Sequence, residues 1–258
     1  MNNKLNNFCY SQNSINTYKS CPLKFKYKYI DKINWKQDDI ENREYYEGLK
    51  KGRDFHLICE RYFNNIPLGI DNKQNIFNLW MSKIKKIVPI KNEYIYLPEY
   101  EIRYNLGDNI IQAKYDLVIL KEDKIEIWDW KTENKKIDYK SIENRMQTIV
   151  YMFLVKEVIP KLWGIDIDTK NISMKYYQPL FEDGIVTISY NDEKHNANKI
   201  KLNEYINMII NTKYDNKQEK YKYELISNKN HCKFCEFNKL CNGQDINYDI
   251  LEEKIYES

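Results

Sequence analysis

The stretch from Gln112 to Thr132, QAKYDLVILKEDKIEIWDWKT, constrains the fold more than any other. Two runs rich in β-branched and aromatic residues, Tyr115–Leu120 and Ile125–Trp130, flank the charged break Lys121-Glu122-Asp123-Lys124, which predicts a β-hairpin. An even loop centred on Glu122-Asp123 pairs residues whose numbers sum to 245. Asp116 then falls opposite Asp129, with Cβ atoms about 5 Å apart. Lys131 follows two residues later on the same face. Two facing carboxylates repel each other unless a divalent cation sits between them, so the arrangement predicts a metal site. An odd loop would separate the pair.

Composition narrows the class. With 258 residues and 31% charged, the chain can bury a sizeable core and is not a disordered tail. A net charge of +3 is too small to argue for nucleic acid by itself. The 23 tyrosines and many lysines would suit a groove that stacks bases and tracks phosphates, although compositional bias accounts for most of them. The seven glycines form neither a P-loop nor a dinucleotide fingerprint, which disfavours an ATPase motor or a Rossmann enzyme. No apolar run approaches membrane-spanning length and no signal-peptide core is present. A cytoplasmic protein with no membrane partner is therefore expected.

Along the chain, the residues from Ser14 to Ile30 predict a helix broken at Cys21-Pro22, with Ser14 as its N-cap. A second helix is expected from Tyr45 towards Phe63, burying Leu49, Phe55, Ile58, Cys59 and Tyr62. On it, His56 stands four residues after Gly52, which would allow a close backbone approach. A lone histidine there is ordinarily a hydrogen-bonded core residue. Asn75–Ile87 predicts a third helix with Ile76, Leu79, Trp80, Ile84 and Ile87 inward. Tyr100–Leu106, a turn at Gly107-Asp108-Asn109 and Ile110–Leu120 give, with the hairpin, three consecutive antiparallel strands. Glu99 or Glu101 is a candidate third carboxylate, with solvent-facing roles equally open. A helix from about Ile142 to Ile159 places Gln147 and Tyr151 on one face. Strands at Asn171–Leu180 and Gly184–Tyr190 and a helix from Asn198 to Asn211 follow.

Cys232-x-x-Cys235-x5-Cys241 is a set of three thiolates in want of a fourth ligand. His231 is too near Cys232 to be the obvious choice, whereas Cys21 stands at a helix break. Joining residue 21 to residue 232 would close a loop worth about 5 kcal/mol in the chain-entropy model. Four cysteines suit a 4Fe–4S cluster or structural zinc.

These pieces together resemble the RecB-like, Cas4-like branch of the PD-(D/E)XK nuclease superfamily. The matches run in family order: Ser14…Tyr18…Cys21-Pro22…Phe25, Gly52-x3-His56, Asp116, Asp129-x-Lys131-Thr132, Gln147-x3-Tyr151 and the closing cysteines. The resemblance implies a single α/β (α+β mixed) nuclease domain over residues 1–258, with a restriction-endonuclease-like core at about 45–190. A central mixed sheet would be flanked by helices, and segments at about 14–30 and 228–245 would be joined by a metal cluster. It implies that Asp116, Asp129 and His56 bind Mg²⁺ or Mn²⁺, which reverses the core reading of His56. Lys131 would position or activate water, and Gln147 and Tyr151 would support the lysine and the DNA backbone. Cys21, Cys232, Cys235 and Cys241 would hold a 4Fe–4S cluster, with zinc as the alternative. The implied activity is exonucleolytic cleavage of single-stranded DNA to 5′-phosphate and 3′-hydroxyl ends. Repair, recombination, phage DNA processing and CRISPR adaptation all fit, with a helicase or CRISPR adaptation proteins as partners. The alternatives are a catalytically silent DNA-binding module that keeps the fold and a scaffold with structural carboxylates. In place of the family's usual glycine stands Ala113, whose methyl is expected to alter the approach of DNA.

Overall fold

The hairpin forms, and a mixed six-stranded sheet is built around it. The computed structural model describes residues 5–33, 43–71, 75–214, 232 and 235–241. In chain order the strands are β1 (Cys9–Tyr10), β2 (Ile95–Leu106), β3 (Asn109–Leu120), β4 (Ile125–Trp130), β5 (Ile172–Tyr177) and β6 (Ile185–Ser189). Their path is β1-β3-β4-β5-β6, with β2 also paired to β3. The β2, β3 and β4 pairings are antiparallel, β4–β5 is parallel and β5–β6 is antiparallel. Between β2 and β3 the turn has two residues, and Gly107 takes the left-handed φ of 63° that its first position requires. The β3–β4 pairs from Leu117↔Trp128 to Leu120↔Ile125 all follow the expected register.

The helices are α1 (Gln12–Ser20), α2 (Pro22–Phe25), α3 (Arg43–Phe63), α4 (Asn75–Ile87), α5 (Tyr139–Glu143), α6 (Met146–Trp163), α7 (Asp192–Asn211) and α8 (Asn238–Cys241). Of these, α3, α4, α5 and α6 flank a central mixed sheet, as expected. β4 is buried along its whole length, because β3 and β5 cover its edges and helices its faces. One side of the core joins α3 and α4 to the sheet through Phe55, Cys59, Trp80, Ile84, Trp128 and Trp130. α6 lies against β2, β3 and β5 and is apolar almost all round, as a helix enclosed on most sides must be. It ends at Gly164, whose left-handed φ of 61° caps it.

Two compact units are distinguished. Residues 7–13 and 39–207 carry the sheet, and residues 1–6, 14–38 and 208–258 form the other. In that second unit α2 starts with Cys21 as its N-cap and Pro22 at its first position, so the break at Cys21-Pro22 is where the sequence places it.

Some faces differ from expectation. α1 begins at Gln12, and Ser14 is buried within it rather than capping it. Leu49, Ile76 and Leu79 are exposed, at 44%, 37% and 55%. On α4 the residues Phe77, Trp80, Met81 and Ile84 share one face and that face is buried, whereas Ile76 lies at its rim and Leu79 apart from it.

Candidate active site

β3 is shared unequally along one edge. β1 pairs there at Ile110 and Ile111, and β4 only from Leu117 onward, while β2 lines the other edge throughout. Residues 112–116 therefore face a fork in the sheet. Asp116 and Asp129 stand one step beyond the last β3–β4 pair, where the strands diverge. Asp116 Oδ2 accepts the backbone N–H of Trp130 at 2.8 Å, so a side chain replaces the missing ladder bond. Beneath the fork, Trp130 is buried and stacked between Phe63 and Trp128, which gives the site a rigid floor.

His56 reaches this point from α3. Its Nε2 lies 2.9 Å from the Trp130 carbonyl oxygen, which can only accept, so Nε2 carries a proton. Nδ1 then points at Asp116 Oδ1, 3.2 Å away. Burial would lower the His56 pKa, but the Asp116 hydrogen bond and charge, with Asp129 behind, raise it overall. One ligand atom each from His56, Glu99 and Asp116 lies within 4.8 Å of the others. Glu99 adopts φ 50°, in the left-handed region, while the β2–β3 register runs unbroken on both sides of it. A non-glycine residue held there stores strain, and such strain gathers at functional positions. Glu101 is instead exposed and paired with Arg103 at 2.8 Å.

Asp129 stands beside this set rather than inside it. Gln147 Nε2 donates to its Oδ1 at 2.5 Å, and Lys131 Nζ sits 2.6 Å from its Oδ2. That Oδ2 is buried and accepts no well-directed hydrogen bond. Burial pushes the Asp129 pKa up and Lys131 pulls it partly back; Asp116 opposes the charge. Lys131 also lies over the Tyr176 ring at 5.7 Å. Its pKa would fall through burial but is raised by Asp129, so it stays a cation. Gln147 thus meets Asp129 and not the lysine. Tyr151 is buried, and its hydroxyl donates to the Lys114 carbonyl at 2.6 Å. That bond ties α6 to β3 at the fork. Ala113 is buried in the β2–β3 ladder, so its methyl does not face the opening as expected.

The donors fit a hard divalent cation: two or three carboxylates, an imidazole with the correct nitrogen presented, and a buried oxygen lacking a directed donor. They open into a cleft of about 950 Å³. Its walls carry Lys51, Arg53, Lys114 and Lys131, with Leu49 and Leu57 as apolar surface. At Gly52 a Cβ would meet Thr132 Oγ1 at 3.2 Å, which is the close approach expected of this glycine. Glu99 was findable: the β2–β3 turn pairs residues whose numbers sum to 215, which sets Glu99, not Glu101, opposite Asp116.

Cys21, Cys232, Cys235 and Cys241 lie in the other unit. Cys21 Sγ accepts the backbone N–H of Lys24 at 3.4 Å. Phe237 is buried against Tyr27, and Glu236 pairs with Lys24 and Lys28, so the segment bearing Cys235 and Cys241 packs on α2 and the turn after it. Burial pushes the Cys235 thiol up, and Cys21 adds to the rise. Cys232 precedes Cys235 by one turn, with Cys235 N–H donating to the Cys232 carbonyl at 3.2 Å. His231 and most of residues 228–245 outside this segment lie beyond the described residues.

A mixed sheet forking over carboxylates and a lysine defines a nuclease-type α/β fold. The chain belongs to the PD-(D/E)XK nuclease superfamily, whose family model matches residues 10–90 and 73–242. No curated protein matches the chain at a significant level. Among solved structures, a proposed exonuclease from Eubacterium rectale is similar with a TM-score of 0.51 and 10% identity, over 81% of this chain and 83% of that one. SSO0001 is similar with a TM-score of 0.39 and 12% identity, over 92% and 87%. At 10% identity the Eubacterium rectale structure bears on the fold alone. Among the described residues no helix is long and apolar enough to cross a membrane.

Proposed function

We propose that this chain is a metal-dependent DNA nuclease, an exonuclease on single-stranded DNA that leaves 5′-phosphate and 3′-hydroxyl ends. The observation that carries the reading is the convergence of His56, Glu99 and Asp116 beside the buried Asp129–Lys131 pair. His56, Glu99 and Asp116 would hold Mg²⁺ or Mn²⁺, with Asp129 completing the set. When bound, the ion supplies Lewis acidity at the scissile phosphate and lowers the pKa of a water. Lys131 offsets the negative charge that develops on the phosphate. Gln147 keeps Asp129 from turning, Tyr151 holds β3, and the apolar surface of Leu49 and Leu57 in the cleft suits unpaired bases. The four thiols of Cys21, Cys232, Cys235 and Cys241 fit a 4Fe–4S cluster. Repair, recombination and CRISPR adaptation, with a helicase or adaptation proteins as partners, are the settings such an activity serves.

The test is degradation of end-labelled single-stranded DNA by the purified protein, with Mg²⁺ or Mn²⁺ and with EDTA. Wild type is expected to cut only with metal, and Asp129→Ala to bind DNA without cutting. Equal cleavage by both proteins would remove the catalytic assignment. DNA binding without cleavage by wild type would favour a silent DNA-binding module.

A further inference from the structure

Lys114 stands two residues before Asp116 on β3, hence on the same face, and its side chain reaches into the cleft. Its cross-strand partner is Glu101, yet the ion pair it makes is diagonal, to Glu99 Oε2 at 2.7 Å. Glu101 is turned away towards Arg103, and the left-handed φ of Glu99 accompanies this choice. The ammonium therefore rests on a carboxylate that also belongs to the cation-binding set. Lys114 remains 60% exposed while Glu99 is 22% exposed, so the lysine is the partner free to move.

We propose that Lys114 is a phosphate-gripping residue that Glu99 holds until a divalent ion takes the carboxylate, so that metal loading hands Lys114 to the DNA strand. One ammonium and one metal ion compete for Glu99; the loser is the group with another place to go. Lys114 has one, because a strand laid along the cleft towards Asp116 passes its Nζ. This ties substrate affinity to the occupied state of the site, and it rests on the nuclease reading above.

The experiment compares wild type, Lys114→Met and Lys114→Arg by calorimetric titration with MnCl₂ alone. It also measures binding of a labelled oligodeoxythymidine across a salt series, with Ca²⁺ and with EDTA. Without the competing ammonium, K114M is expected to bind Mn²⁺ roughly threefold to tenfold more tightly. Its DNA affinity should fall in Ca²⁺, with the salt slope reduced by about 0.7, as for one lost phosphate contact on a single strand. In EDTA the K114M and wild-type affinities should nearly coincide, and K114R should retain the Ca²⁺-dependent DNA affinity. Unchanged or weaker Mn²⁺ binding by K114M overturns the proposal, as does an equal loss of DNA affinity in EDTA and Ca²⁺. Wild type that binds no Mn²⁺ at all overturns the nuclease reading beneath it.

Discussion

Gln147 and Lys131 clamp the two oxygens of Asp129, and the consequence is measurable one side chain at a time. A buried charged oxygen deprived of its donor costs about 1.5–3 kcal/mol. Gln147→Leu is therefore expected to destabilise the protein by that amount in urea melts and to slow cleavage at least tenfold. Unaltered cleavage would show that the orientation of Asp129 is immaterial. Gly52 offers a contrast, because helix propensity alone would make Gly52→Ala more stable by up to about 1 kcal/mol. Its Cβ would crowd Thr132 and shift α3 one turn before His56. The expected result is an unchanged or higher melting temperature with slower cleavage; a variant as fast as wild type would deny that the close approach matters. At this scale Asp116, Asp129, Lys131 and Gln147 were legible, because strand pairing and helix spacing fix neighbours. The swing of Lys114 to Glu99 was not. A register names the opposite residue but not the backbone torsion that turns a side chain aside.

Within the hairpin, Glu126 is an acidic residue near the start of a buried strand. Its Oε1 lies 2.7 Å from Lys121 Nζ and 2.8 Å from Lys175 Nζ, and Trp128 Nε1 donates to Oε2 at 3.1 Å. Burial alone would raise its pKa, but the two lysines bring it below the ordinary value of 4.5. A carboxyl whose folded pKa is depressed contributes stability above its unfolded pKa, and this is lost as pH falls through the folded value. Glu126→Gln should be less stable than wild type by about 1.5–3 kcal/mol at pH 7, with the gap narrowing below about pH 4. Urea melts at the two pH values check this, and an equal gap at both contradicts it. Element boundaries were unevenly read: α4 lies at Asn75–Ile87 as expected, but the helix expected from about Ile142 to Ile159 is divided into α5 and α6, and α7 begins at Asp192 rather than Asn198. Faces were legible in their main stripe and less so at its rim: on α4 Phe77, Trp80, Met81 and Ile84 share the buried face, while Ile76 and Leu79, expected inward, are exposed.

At the scale of the whole molecule, the proposed cluster would link segments far apart in sequence. Cys21→Ser is expected to abolish bound iron in protein purified without oxygen and to lower the melting temperature. Iron and sulfide assays with a thermal melt test both, and full iron occupancy in the variant would assign the fourth ligand elsewhere. The spacing of Cys232, Cys235 and Cys241 suggests a ligand set, while the packing of Phe237 on Tyr27, which sets that segment against the one bearing Cys21, is not written in the spacing. The two units also draw on the chain differently. His56, Glu99, Asp116, Asp129, Lys131 and Gln147, with the Tyr177 carbonyl that receives the Lys131 N–H, all lie between residues 52 and 177. The cysteine unit needs residues near 21 and residues 232–241. During synthesis the ribosome releases the last strand of the carboxylate fork some fifty residues before Cys232. At ordinary elongation rates this is an interval of several seconds. A nascent chain thus has every residue of the carboxylate fork before Cys232, Cys235 and Cys241 are made.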